Sequence, residues 1–292
     1  MKHLIPFRIY EARTISGLTK RQVKFLNKYT AGSWSVNQTT GLVDVQGNFD
    51  CSNQYRKSLS GISFGHVNGN FNCNSNQLTS LEGAPNTVSK DFVCFNNRLT
   101  SLEGAPQTVG NYFDCSLNQL QTLEGAPQTV GGGFCCSAND LQSLKGSPQT
   151  VGRDFKCSGN KLTSLAGAPQ TVNGFFSCSD KDLTSLEGAP HTINGVFLCD
   201  KFQLDPGKWN MEGWLEVLNT GTPQAKKLIL TLPWLGPDWW NLELQRDPGK
   251  TVHLLSTMWN GMPKDMQSAI KIPKGHEDDF ELFSGFDELG LF

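Results

Sequence analysis

Nowhere do these 292 residues contain the apolar run of roughly 18 residues that a membrane-spanning helix requires. The start, MKHLIPFRIYEAR, lacks the long apolar core and small-residue cleavage site of a secretory signal, which makes the cytoplasm the expected location. There is almost no net charge, 25 Lys plus Arg against 27 Asp plus Glu, so nothing global points to nucleic acid. Cys-x-x-Cys is missing, and with it the usual zinc and redox signatures. Gly249, Lys250 and Thr251 resemble the end of a phosphate-binding loop, but Leu244 occupies the place of its first glycine. No cysteine follows Cys199, and His253 and His276 stand apart from any recognisable nucleophile or metal motif. These absences predict a chain that is not an enzyme and carries neither cofactor nor metal.

What the sequence has in abundance is repetition. Cysteines fall at 51, 73, 94, 115, 136, 157, 178 and 199, at steps of 21 residues with one step of 22, and each has a phenylalanine two places earlier, from Phe49 to Phe197. After the cysteine the phrase continues as N-x-L-x-x-L-x-G-x-P-x-T-V, for example Asn118, Leu120, Leu123, Gly125, Pro127, Thr129 and Val130. Asn76, Asn97, Asn118, Asn139 and Asn160 keep the asparagine, whereas Gln54, Lys181 and Phe202 replace it in the outer copies. In an extended segment Phe and Cys two apart point to one face, so Phe-x-Cys reads as a short strand with both side chains inward. Gly-x-Pro excludes a long helix on the return. One coil cannot bury its own apolar set, so coils must stack with their strands pairing in parallel.

The phrase resembles the leucine-rich repeat, whose L-x-L-x-x-N-x-L core is matched from Phe113 through Cys115 and Asn118 to Leu120. The wording LTSLEGAPQTV and the lead-in GSWSVNQTTGLVDVQGNFDCS are similar to repeat proteins encoded by large tailed bacteriophages. That likeness implies a right-handed solenoid of about eight coils over residues 42–204, with an irregular convex side. It also implies action in the infected bacterial cytoplasm, on a protein of the host or of the phage. The chain departs from the pattern at its first leucine, which has no counterpart except Val109, one place early. Some bacterial effectors join similar repeats to a ubiquitin-ligase domain with a cysteine nucleophile; here no cysteine lies beyond the repeats.

Inward positions are set by packing, so recognition falls to the outward ones. The residue between Phe and Cys runs Asp50, Asn72, Val93, Asp114, Cys135, Lys156, Ser177 and Leu198. Among the outward residues Val93, Phe95 and Tyr112 form an apolar cluster on neighbouring coils, rimmed by Asp91 and Asp114, the composition of a protein-binding patch. Cys135, Lys156 and Phe175 extend it along the sheet, and strand alternation predicts an exposed Cys135 thiol. Phe175, Val196 and Leu198 make a second cluster, where the following region can pack.

Residues 1–41 read as a cap with one helix, opened at Thr19 with Gln22 three places on. Trp34, Val36, Leu42, Val43 and Val45 suggest an incomplete first coil. Residues 205–276 hold six of the seven tryptophans and apolar residues at helical spacing, which predicts an α-helical domain, a duplicated helical hairpin launched from Asp-Pro-Gly-Lys at 205–208 and 247–250. Charge is polarised: residues 1–30 carry seven Lys or Arg against Glu11, and the tail 277–292 carries six Asp or Glu and no base. The last residues, with Leu289, Leu291 and Phe292, resemble the short peptides that dock on the replication sliding clamp, which gives a second functional expectation: a replication-associated adaptor.

Overall fold

A computed structural model describes residues 17–59 and 61–200, the backbone of 202–204, and, beyond these, residues 222, 225, 237–249, 251, 252, 255, 268–271 and 273–275. The expected clamp-like motif and the Asp-Pro-Gly-Lys at 205–208 lie outside the described residues, as does most of the expected helical hairpin. Helix α1, Lys20–Tyr29, begins as the sequence predicts. The Thr19 hydroxyl accepts from the Gln22 backbone N–H while the Gln22 amide oxygen accepts from the Thr19 N–H, so two otherwise orphaned donors are satisfied. Strand β1, Thr30–Val36, then runs antiparallel to β2, Val43–Asp50. Trp34 and Val36 therefore sit in a hairpin arm rather than in an incomplete coil, because seven residues of β1 pair continuously along β2 and leave it no room to wind.

From β2 onward the chain is a parallel β-solenoid of about seven turns with 21-residue periodicity. Eight Phe strands delimit the expected eight coils, but Phe49 opens the stack instead of closing a turn, since its strand meets β1 on the outer side. Each Phe pairs with the Phe of the next coil in register, from Phe49↔Phe71 to Phe176↔Phe197. A second ladder, absent from the sequence reading, is formed by Thr-Val pairs, in which Val88, Val109, Val130, Val151, Val172 and Ile193 succeed one another. Three residues separate each Val from the following Phe, so the chain turns a corner between the two strands and both ladders face one core. The rest of each coil is turn and extended backbone without helix, as Gly-x-Pro predicts.

Three side-chain columns fill the coil. The Phe rings from Phe71 to Phe197 stack with centroids 5.1–5.7 Å apart, and all are buried. At about 1.5–3 kcal/mol for each fully buried side chain of this size, the column is a leading source of stability. The eight repeat cysteines line up beside it, buried, with Cys115, Cys136 and Cys157 thiols pointing 3.2–3.4 Å from the carbonyl of the residue between Phe and Cys one coil on. The asparagine column does the polar work. Asn118 donates its amide to the carbonyls of Cys94, Cys115 and Ser116 at 3.1–3.2 Å and accepts from the Leu99 N–H at 3.0 Å, closing the bend of two coils at once. Asn97 and Asn139 repeat this pattern. Gly125 explains the Leu-x-Gly of the phrase: its φ is +86°, and a Cβ there would lie 2.8 Å from the Leu102 backbone of the previous coil.

Where the column ends, Lys181 replaces asparagine and the neighbouring Asp180, 2% exposed, turns its carboxylate onto the Asn160 N–H. Burial raises its pKa from 3.8 to about 6, opposed by the backbone hydrogen bond from Asn160 and assisted by Asp200 and Asp182. Beyond the repeats, the strand Phe202–Leu204 pairs antiparallel with Phe197–Cys199. A second helix, Pro237–Arg246, buries Trp240 and Leu244, and Asn241 clasps the Ala269 carbonyl and the Lys271 N–H at 3.2 and 2.9 Å. The Thr251 N–H donates to the Asp247 carbonyl at 3.1 Å, so the second Asp-Pro-Gly-Lys starts a helix and not a phosphate loop.

Two outcomes are expected. Asn118→Ala strands the buried Leu99 N–H and leaves the Cys94, Cys115 and Ser116 carbonyls with one donor each, from Asn97, Asn139 and the Asn96 N–H, and is expected to lower stability in urea unfolding by about 2–4 kcal/mol, with Asn118→Ser recovering little of it. A folded pKa above the unfolded one means the native chain binds the Asp180 proton more tightly. Asp180 thus weakens the last coils above pH 6, and the penalty is relieved as pH falls from about 6 towards 4. Measured against Asp180→Asn at each pH, wild type should gain up to about 3 kcal/mol across that window; a constant difference between pH 7 and pH 4.5 contradicts this assignment.

Candidate partner-binding face

The backbone register settles which outward side chains are neighbours. Asn72, Val93, Asp114, Cys135, Lys156, Ser177 and Leu198 form one row across successive coils. A parallel row, one residue before each Phe, carries Asp91, Tyr112, Gly133, Asp154 and Phe175; in the row one residue after each Cys, Phe95 stands beside Asn74 and Ser116. Val93 and Phe95 on one coil and Tyr112 on the next are half-buried.

The acids at its rim are partly committed to structure. Asp91 Oδ1 accepts from the Tyr112 N–H at 3.1 Å and from the Asn111 amide at 2.6 Å. Asp114 Oδ1 accepts from the Ser116 N–H at 3.0 Å and its hydroxyl at 2.6 Å. Both carboxylates thereby fix the sheet edge of the coil that presents the aromatic residues.

Cys135 overturns an expectation. It points to the outward side of the strand yet is only 7% exposed. The cover comes from the previous coil: Gly133 has no side chain, a Cβ there would come within 2.9 Å of the Tyr112 ring, and the ring leans across this gap. Burial, assisted by the Asp114 carboxylate and the hydrogen bond with Cys135, pushes the Tyr112 phenol well above its usual value, so it stays protonated. Alternation assigns a side but cannot see a neighbour one coil away filling the space left by a glycine. Past Cys135 the row resumes with Lys156, whose ammonium lies 5.0 Å from the Phe175 ring centroid. The predicted residues thus fall into two groups, Asp91 to Asp114 and the Lys156–Phe175 pair, with Tyr112 bridging over the buried thiol between them. In the second cluster Leu198 pairs with Gln203, so the strand after the repeats lies along it.

Leu117 was missed. It is 53% exposed and adopts φ +54°, one residue beyond Ser116, the row neighbour of Phe95. Two places after each cysteine from Cys51 to Cys157 the backbone enters the left-handed region, and besides Leu117 the sequence offers Asn53, Ser75, Asn96, Ala138 and Gly159 there. A lone leucine in that company was the available signal, since bulky residues are disfavoured in this conformation. The His66 ring, also unremarked, sits between the hydroxyls of Thr87 and Ser89 at 2.7 and 3.2 Å, and the His66 backbone N–H donates to Asp44 Oδ1 at 2.8 Å. With a hydroxyl in the place of an orienting carboxylate, this group fastens neighbouring coils rather than sharpening a base. Burial drives the thiols of Cys73, Cys94, Cys115, Cys136, Cys157 and Cys178 well above their usual pKa, and that of Cys51 to about 12, so these sulfurs remain protonated and unreactive at neutral pH. No helix among the described residues is long and apolar enough to cross a membrane.

Comparison with known protein families, with curated proteins and with solved structures yields no match. The geometry of the sheet face therefore stands by itself.

Thiol titration tests the lid over Cys135. The native wild type should react slowly with a disulfide reagent at pH 8 at every repeat cysteine, whereas Tyr112→Ala should release one fast thiol, identified by mass spectrometry as Cys135. An equally fast Cys135 in wild type overturns the arrangement.

Proposed function

We propose that this chain is a non-enzymatic protein-binding scaffold of the leucine-rich-repeat type, encoded by a large tailed bacteriophage. On this reading it works in the infected bacterial cytoplasm and captures a host or phage protein on the face built by the Phe-x-Cys strands, which the leucine-rich-repeat resemblance makes concave. Capture inhibits or redirects the partner. It needs no cofactor, since an aromatic anchor set in a polar rim supplies affinity by excluding water.

The observation that carries this reading is Leu117. A leucine held in the left-handed region costs about 1–2 kcal/mol relative to the conformations it prefers. Held there, it stays 53% exposed, one residue beyond Ser116, whose carbonyl accepts from the Asn96 N–H of the coil that carries Val93 and Phe95. A fold that accepts both an exposed apolar side chain and a strained backbone at one place has exchanged stability for a surface.

The test separates stability from capture. Leu117→Asn should raise stability by about 1 kcal/mol while Phe95→Asp with Tyr112→Asp leaves the fold intact, and both should weaken recovery of the partner from infected cells by at least about tenfold. Retained capture by both variants, with loss only on removing the residues around Leu289, Leu291 and Phe292, favours instead the replication adaptor that docks on a sliding clamp. Turnover by the chain with no partner present overturns both readings.

A further inference from the structure

The opposite end of the molecule carries a second feature, independent of the sheet face. Between α1 and residues 54–58 runs a groove of about 580 Å³ whose lining includes Arg21, Lys24, Lys28, Arg56, Tyr29 and Ser58; every charged side chain in it is cationic. Arg21, Lys24 and Lys28 succeed one another at spacings of three and four, which places them along one side of the helix. None of the three has a carboxylate partner among the described residues.

The floor is aromatic and built in advance. The Arg56 guanidinium lies 4.1 Å from the Phe25 centroid and 5.1 Å from that of Tyr29, and its own backbone N–H is held by Asn76 Oδ1 at 2.9 Å. The Lys28 ammonium sits 4.8 Å from the Tyr29 ring, and the Tyr29 hydroxyl donates to Gln54 at 2.7 Å. Lys28, hydrogen-bonding to the phenol, and Arg56 hold Tyr29 below its usual pKa against the opposing effect of burial, which reports a positive local potential. The sixteen residues before the described region add Lys2, Arg8 and Arg13 against Glu11, so the excess is not neutralised from that side.

The chain holds the complement of this groove. Residues 277–292, EDDFELFSGFDELGLF, contain six Asp or Glu, four Phe and no base. We propose that the groove is a binding site for an acidic, phenylalanine-rich peptide, and that its occupant is residues 277–292 of the same chain. Carboxylates meet Arg21, Lys24 and Lys28 at the rim, and a phenyl ring lies against the Tyr29–Arg56 floor. Reach does not forbid it even for a tail that starts at the far end of the stack: Phe49 to Phe197 spans about 37 Å, about eleven extended residues, which brings the last acids, Asp287 and Glu288, to the groove. Attachment to the same chain supplies a high effective concentration. The contact leaves the sheet face open and ties the two ends of the molecule together.

Zero-length carbodiimide cross-linking of the full chain, read by mass spectrometry, tests this. Amide links are expected from Lys24 or Lys28 to acids of 277–292, confined to one chain when nitrogen-14 and nitrogen-15 protein are mixed, and fading as salt rises from about 0.05 to about 0.5 M. Lys24→Glu with Lys28→Glu should abolish them without changing the circular dichroism spectrum. Adding Asp287→Lys and Glu288→Lys should restore linkage with the polarity reversed. Links found only within the repeats, or only between differently labelled chains, overturn the proposal. Absent links together with tight, salt-sensitive binding of a single-stranded oligothymidylate also overturn it, assigning the groove to a phosphate backbone.

Discussion

Every coil of this molecule completes its neighbour's hydrogen bonds. The Phe92 and Cys94 N–H groups reach the Tyr112 and Asp114 carbonyls at 2.8 Å, and the Phe113 and Cys115 N–H groups reach Gly133 and Cys135 in turn at 2.9 Å. Strands of two residues have no independent stability. They persist because each is sandwiched, above and below, by copies of itself in the same register. The asparagine column extends the same dependence to the bends, where a backbone without helix or sheet partners would otherwise be buried unsatisfied. Stability is therefore a property of interfaces between coils rather than of coils.

Such a stack is exposed at its ends, and the chain closes both with the opposite strand direction. β1 runs antiparallel to the first rung, and Phe202–Leu204 runs antiparallel to the last. An antiparallel strand satisfies the terminal rung without presenting the next identical template, which discourages end-to-end growth. At the first end α1 also sets Phe25 against Phe49, with centroids 5.6 Å apart, so the aromatic column finishes on a helix instead of in water. The same helix turns its lysines outward, and the cap thereby becomes the basic end of a molecule whose total charge is nearly balanced.

Legibility in the sequence followed the number of side chains that each element commits to the core. Phe-x-Cys commits two at a spacing of two, and its strand, its buried thiols and its register could be read directly. Thr-Val commits only one, a valine flanked by polar residues and glycine, and its ladder emerges only when the six copies are laid side by side. The capping box at Thr19 was readable because both of its hydrogen bonds are local. The outward face was readable as a set of rows, but not as a surface: the place of Cys135 beneath Tyr112 depends on Gly133, and the prominence of Leu117 depends on a backbone angle.

The sequence alone determined that this chain winds, at what period, and which atoms go inside, because a 21-residue repeat of large apolar side chains and one amide has few ways to bury both. The tertiary structure decided where the winding stops and what the outside presents. Ends and surfaces are made by contacts between residues twenty or more apart, Tyr112 with Gly133, Arg56 with Phe25, Asp180 with Asn160. Their energies depend on distances across the stack that no local pattern encodes.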